Sequence, residues 1–269
     1  MITRIMTSVI GIPLVIAIII AGNPWLQYVI MAVSLIAMYE IYHVIKTRHK
    51  PIVFLGYGAV IVHYLAFDFV MTHYSIYMTM VTMLALTILV IQYPKYSITD
   101  VALTLFPIIY VSLLFSFIIL LRDVKDGHFW VWLIAISAWG CDTFAYFTGK
   151  AIGKHKLAPQ LSPKKTVEGS IGGVIGAGVI GYVYTVIFTH YSALIVREQV
   201  IWVVTTVMLG ALISQVGDLA ASAIKRYFNQ KDYGYILPGH GGILDRFDSF
   251  LFVAPVIYII VILIQNTIG

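Results

Sequence analysis

The stretch VALTLFPIIYVSLLFSFIILL, residues 101–121, decides the fold. It runs for 21 residues without a charged side chain, and its apolar positions do not alternate with polar ones. About 20 such residues, rising roughly 1.5 Å each, cross the hydrocarbon layer of a bilayer as an α-helix. A helix is required because lipid offers no partner to a backbone N–H or C=O. The lack of alternation argues against a transmembrane barrel. Comparable runs lie near 5–22, 25–45, 52–70, 75–93, 129–147, 169–190, 199–222 and 250–266. The expected fold is an all-α polytopic membrane protein with about nine transmembrane helices. The run at 199–222 is the weakest, since Ser214, Gln215 and Asp218 interrupt its second half.

Composition leads the same way. Of 269 residues, 60% are hydrophobic and 11% charged, and the mean hydropathy is +0.93. A soluble domain is about 45–50% apolar and about 25% charged, so this chain lacks the polar surface to cover a globule in water. A soluble enzyme with one anchor, a disordered chain and a disulfide scaffold are all excluded. The single cysteine, Cys141, lies in an apolar stretch and reads as a small buried hydrophobe.

The basic residues fix the expected sidedness. Nine spans place Arg4, Lys46, Arg48, Lys50, Lys95, five lysines between 150 and 165, Lys225, Arg226, Lys231 and Arg246 on one side, fourteen in all. Arg122, Lys125 and Arg197 fall on the other. The positive-inside rule makes the first side cytoplasmic, with the N-terminus in and the C-terminus outside. The first run has no good small-x-small cleavage site before Asn23, so it is expected to be a retained helix. Residues 1–125 read as a scaffold of transmembrane helices. Residues 126–269 read as the catalytic region, with cytoplasmic loops at 148–168 and 223–249.

Four constellations in that second half could carry chemistry. Asp142 follows Trp139-Gly140-Cys141 near the cytoplasmic end of a span, and an intramembrane carboxylate is a functional candidate by default. A helix-packing hydrogen bond is the plainer alternative. The loop Ser162-Pro163-Lys164-Lys165-Thr166-Val167-Glu168-Gly169 joins two lysines and two hydroxyls to a helix N-terminus, whose free N–H groups and dipole favour anions. A basic loop serving only topology would look the same. GKAIGK at 149–154 has the wrong spacing for a Walker A loop. Ser214, Asp218, Ser222 and Lys225, at i, i+4, i+8 and i+11, share one helix face that must meet protein or a watery cavity.

The densest constellation is Pro238-Gly239-His240-Gly241-Gly242-Ile243-Leu244-Asp245-Arg246-Phe247-Asp248-Ser249. Its glycines let a backbone approach a ligand closely. Asp245 and Asp248 share a face if the last helix begins there. With Asp218, and Asp142 as an optional fourth, they offer three or four of the oxygen ligands preferred by a hard cation such as Mg²⁺. His240 has no second histidine at ligand spacing, so a turn or phosphate contact suits it better than zinc. The glycines of the seventh span, Gly169, Gly172, Gly173, Gly176, Gly178 and Gly181, read as close helix packing. Trp25, Trp130 and Trp202 read as interfacial anchors.

The stretch Ser222-Ala223-Ile224-Lys225-Arg226, then Lys231-Asp232, then Leu237 through Asp248 resembles the signature of the phosphatidate cytidylyltransferases, the CDP-diacylglycerol synthases. Asp142-Thr143-Phe144-Ala145-Tyr146 and Ser162 through Gly169 resemble further segments of that family in the expected order, and the compact length resembles its bacterial members. The resemblance implies that CTP and phosphatidic acid give CDP-diacylglycerol and pyrophosphate in phospholipid biosynthesis. It also implies Mg²⁺ with a second cation, a homodimer in the inner (plasma) membrane, and no nucleic-acid partner. On this reading Asp218, Lys225, Asp245 and Asp248 are catalytic, with Asp218, Asp245 and Asp248 holding metal. Asp142, Ser162, Lys164, Lys165, Thr166, Glu168, Ser222, Arg226, His240, Gly241, Gly242 and Arg246 bind substrate. The alternatives are a CTP-dependent polyprenol kinase, which needs a base to activate a hydroxyl, and an ion-coupled transporter using intramembrane aspartates. A CDP-alcohol phosphotransferase is disfavoured because Asp245 and Asp248 are three apart where its motif ends with two Asp four apart.

Overall fold

A computed structural model describes residues 16–191, 200–236 and 241–268. Its helices are α1 (Trp25–Ile45), α2 (Val53–Leu65), α3 (Phe67–Thr72), α4 (Tyr74–Ile91), α5 (Ile98–Pro107) and α6 (Leu114–Asp123). They continue with α7 (Gly127–Trp130), α8 (Trp132–Ala135), α9 (Cys141–Ile152), α10 (Val167–Tyr191), α11 (Val200–Tyr227) and α12 (Leu244–Ile268). Wider π-helical turns at Ile108–Leu113 and Ile136–Gly140 join α5 to α6 and α8 to α9. Six of the described helical segments are long and apolar enough to cross a membrane, and Ile98–Asp123 is the one that carries the stretch 101–121.

Three segments depart from the hydropathy reading. The run at 52–70 divides at Ala66 into α2 and α3. The run at 129–147 is built from α7, α8, a π turn and the start of α9. The run at 5–22 lies largely outside the described residues. The segment 148–168, expected to be a loop in an all-α chain, holds the end of α9 and an antiparallel hairpin of β1 (Lys156–Ala158) and β2 (Ser162–Thr166). Strand pairing meets the backbone hydrogen-bonding need of a segment too short and too polar to form a spanning helix. Trp130 also departs from its expected role: it is buried against Phe129, whereas Trp25 and Trp202 are exposed.

The chain folds as two compact units, one of residues 1–116 with 227–246, the other of 117–226 with 247–269. In the first, polar side chains on apolar helices find partners inside the bundle. The Tyr64 hydroxyl, on α2, lies 2.8 Å from Ser34 Oγ of α1 and donates to the Ser112 carbonyl at 3.0 Å. The Tyr42 hydroxyl donates to the Thr104 carbonyl at 2.8 Å. Such buried pairs stabilise by roughly 1 kcal/mol each, but leaving one partner unpaired costs more. Ser97 and Asp100 form a reciprocal capping box that starts α5 at Ile98, and Asp100 Oδ1 also accepts the Lys50 N–H at 2.7 Å. Helix α4 buries Val81 and Ala85 and exposes Met80, Met83, Leu84, Val90 and Ile91, an apolar surface suited to lipid.

The second unit is held by close helix contacts. A Cβ on Gly173 of α10 would lie 2.8 Å from the Cys141 carbonyl and 2.9 Å from its Sγ, so α9 and α10 pack almost backbone to backbone. Farther along α10, a Cβ on Gly178 would meet Met208 Cγ of α11 at 2.9 Å. The small-residue spacing seen in the sequence is thus used on two faces of one helix. Cys141 is fully buried between them, as a small hydrophobe should be.

Candidate active site

Asp142 is the second residue of α9, directly after the π turn, a feature that often marks functional positions. Helical spacing aligns it with Tyr146, Gly149 and Lys150, and all four line one cavity of about 380 Å³. The opposite wall comes from the hairpin and the start of α10, with Leu157, Ser162, Lys164, Lys165, Thr166, Gly169 and Ser170. Gln215 of α11 closes it and donates to the Ser170 carbonyl at 3.3 Å.

Lys165 reaches from β2 to Asp218 of α11, where Nζ and Oδ2 form an ion pair with both side chains about a quarter exposed, 25% and 27%. Asp142 lies within electrostatic range of both groups. Asp218 is thus the carboxylate paired with the Lys165 ammonium at the cavity wall. Lys150 and Lys164 add positive charge to the lining, so the cavity combines one carboxylate, Asp142, with three lysines.

The hairpin delivers its lysines by local hydrogen bonding. Thr166 caps α10, its Oγ1 accepting the Gly169 N–H at 3.1 Å. The Glu168 carboxylate accepts the Lys154 N–H at 3.1 Å and the His155 N–H at 3.2 Å, and lies 2.6 Å from His155 Nδ1. Glu168 thus folds the entry to the hairpin. A Cβ on Gly149 would come within 2.9 Å of Thr166 Oγ1, so a side chain there would push strand and helix apart.

The polar stripe of α11 is present as read. Ser214, Gln215 and Lys225 are buried, Asp218 and Ser222 half-buried, and Arg226 exposed. Lys225 and Arg226 occupy the last turn, where positive charge complements the helix dipole. Helix α12 does begin before Asp245, so Asp245 and Arg246 lie in its first turn and Asp248 follows Asp245 at i+3. In the second unit, Asp248 is buried, and its Oδ1 accepts the Ser249 N–H at 2.8 Å.

In the first unit, Asp245 Oδ2 accepts the Tyr233 N–H at 2.8 Å and the Gly242 N–H at 3.1 Å. Gly241 has φ +84°, a conformation that glycine adopts without strain. A Cβ on Gly242 would lie 2.6 Å from Glu40 Oε2. Both glycines therefore have an intrachain reason, which differs from the close approach of a ligand that the sequence alone suggested. His240 lies outside the described residues. Among the described residues, no three His, Cys, Asp or Glu side chains converge as a metal-ligand group.

The structure thus brings Asp142, Ser162, Lys164, Lys165 and Thr166 to one cavity, and joins Asp218 to it through Lys165. Sequence reasoning missed Lys150, Tyr146 and Gln215 as lining residues. Their signal was helical spacing: Tyr146 is four and Lys150 eight residues beyond Asp142, and Gln215 adjoins Ser214. It also missed Glu40, a lone acid at the end of an apolar run.

Fold and site together define a multi-span helical membrane protein with a carboxylate- and lysine-lined pocket. Residues 2–264 match the cytidylyltransferase family, and the chain belongs to it. It is similar to the phosphatidate cytidylyltransferase of Staphylococcus haemolyticus, 34% identical over 263 residues, 96% of this chain and 98% of that protein. It is also similar to that of Bacillus subtilis, 39% identical over 182 residues, 67% of this chain and 65% of that protein. The protein of the same name from Staphylococcus saprophyticus is 40% identical over 168 residues.

Proposed function

We propose that this chain transfers the cytidylyl group of CTP to phosphatidic acid, releasing pyrophosphate, at the cavity between α9, the hairpin and α11. The observation that carries this reading is the meeting of Asp142, Lys150, Ser162, Lys164, Lys165 and Thr166 around one cavity, in a chain similar over 263 residues to a phosphatidate cytidylyltransferase. A phosphate monoester is already largely dianionic near neutral pH, so the attacking oxygen needs no strong base. The obstacle is bringing two polyanions together in line, and positioned cations overcome it.

Lys164, Lys165 and Lys150 bind the triphosphate in this account, and the Ser162 and Thr166 hydroxyls donate to phosphate oxygens. Lys225, Arg226 and Arg246 would draw the phosphatidate head group, and Ser222 would contact substrate too. His240, Gly241 and Gly242 would contact substrate as well. Asp142 contacts metal or nucleotide, and Glu168 acts by folding the hairpin that carries the lysines.

The donor chemistry suits Mg²⁺: Asp218 already holds a cationic group, its partner being an ammonium, and all the acids concerned offer hard oxygen. Asp218, Asp245 and Asp248 would hold the ion, which supplies charge neutralisation at the α-phosphate. A second cation and a homodimer belong to the same proposal. On the positive-inside rule the cavity would face the cytoplasmic side of the inner membrane, in a chain of about nine spans with the N-terminus inside and the C-terminus outside. Residues 126–269 would form the catalytic region on a scaffold of 1–125.

Purified protein with Mg²⁺, phosphatidate and either α- or γ-labelled CTP tests the reaction. The α label should enter lipid while the γ label leaves as pyrophosphate. Transfer of the γ label to a lipid alcohol would make the protein a kinase and overturn the reading. No transfer by folded protein would do so in favour of transport.

A further inference from the structure

Glu40 sits near the C-terminal end of α1 and is 1% exposed. An acid in an apolar helix needs partners, and its partners lie about two hundred residues away. Its Oε1 accepts the Ile243 N–H at 2.8 Å and its Oε2 the Leu244 N–H at 2.7 Å. These are N–H groups at the start of α12, which have no partner within the helix. The carboxylate therefore satisfies two of them and meets the positive end of the helix dipole.

The surrounding chain is shaped to the carboxylate. A Cβ on Gly234 would lie 2.9 Å from Glu40 Oε1, and one on Gly242 would lie 2.6 Å from Oε2. The same segment is also held by Asp245, which accepts from the Tyr233 and Gly242 N–H groups. Just after α1, Arg48 lies over the Tyr227 ring at 5.4 Å and the His49 ring meets Phe228 edge-on. The connection from α11 to α12 is thus folded onto the end of α1 at several points.

We infer that Glu40 is a positioning residue for the reaction: it fixes the 241–246 turn, and so Asp245 and Arg246, from the N-terminal part of the chain. The inference rests on the role given above to Asp245. Two consequences distinguish it from simple packing. The N–H groups of Ile243 and Leu244 are committed to Glu40, so substrate phosphate binds elsewhere. Glu40 also contributes through both oxygens, so an isosteric amide cannot replace it. In Glu40→Gln one acceptor becomes an NH₂ facing an N–H donor, a repulsive contact in nearly unchanged volume.

Glu40→Gln is the test, in the full-length protein, with Gly242→Ala as a second variant that crowds the carboxylate without removing it. Both should keep the CTP KM within about threefold and lower kcat at least tenfold, a loss of about 1.4 kcal/mol of transition-state stabilisation. Amide hydrogen exchange at 243 and 244 should speed up at least tenfold in Glu40→Gln, while exchange in α10 stays unchanged. Wild-type kcat, or unchanged exchange at 243 and 244, would overturn the inference. Loss of all binding with faster exchange throughout would overturn it too, showing a general structural role. The exchange result does not depend on the reaction catalysed, so a failure of this inference is distinct from a failure of the cytidylyl-transfer reading.

Discussion

Replacing Lys165 by methionine removes the ammonium while keeping the length and most of the volume of the side chain. In the structure that ammonium pairs with Asp218, at about one quarter exposure, with Asp142 within electrostatic range. Two unit charges 4 Å apart interact by about 4 kcal/mol at an effective dielectric constant of 20. Exposed pairs give 0–1 kcal/mol and fully buried ones about 3–5 when one partner is lost. For a quarter-exposed pair, about 1–3 kcal/mol of stability should go. The catalytic loss should be larger, because the same lysine is assigned to the triphosphate, and removing one such charge-stabilising donor typically costs about 10²–10³ in rate. Steady-state incorporation of α-labelled CTP into lipid, alongside thermal unfolding in detergent, reads both quantities. Lys165→Arg should recover part of the activity, since it keeps the charge but not the shape. Activity of Lys165→Met within threefold of the parent, in a protein with lowered stability, would refute the assignment and leave Lys165 as a structural ion pair.

Three further outcomes follow from the same geometry. Gly173→Leu should destabilise by more than about 3 kcal/mol or abolish folding, because its Cβ alone would meet the Cys141 carbonyl at 2.8 Å; thermal unfolding checks this. Thr166→Val should cost about 1 kcal/mol through loss of the cap on Gly169, lowering Tm by only a few degrees, and should raise the KM for CTP. Chelation by EDTA should abolish turnover, Mg²⁺ should restore it, and Asp218→Asn should raise the Mg²⁺ concentration needed for half-maximal rate at least tenfold.

Hydropathy carried most of the fold because a bilayer imposes one rule on every span: apolar outside, backbone paired inside. It failed where local chemistry sets a boundary. Helix α5 starts at Ile98, ahead of the apolar run, because Ser97 and Asp100 cap it. Helix α12 starts at Leu244 instead of 250 because Asp245, Arg246 and Asp248 look like loop to a hydropathy reading, yet an acid such as Asp245 suits a first turn. No feature of the sequence that we can identify marks the division at Ala66. The hairpin was hidden because Lys164 and Lys165 read equally well as a solvated loop.

For the site, the motif around Lys165 was legible because lysines, hydroxyls and a helix start were contiguous. Glu40 was not, because its partners are remote in sequence. The rule that singled out Asp142, that an acid in an apolar run needs an explanation, applies to Glu40 with equal force.

The central claim is that the cavity beside Lys165 holds CTP, and Cys141 makes it accessible to a direct measurement. That cysteine is the chain's only one and is fully buried, so a Leu157→Cys variant offers a single reactive thiol at the cavity wall. The rate of its alkylation by a maleimide should fall at least tenfold with saturating CTP and Mg²⁺ and stay unchanged with GTP. Equal rates with and without CTP, in a variant that still makes CDP-diacylglycerol, would contradict the account.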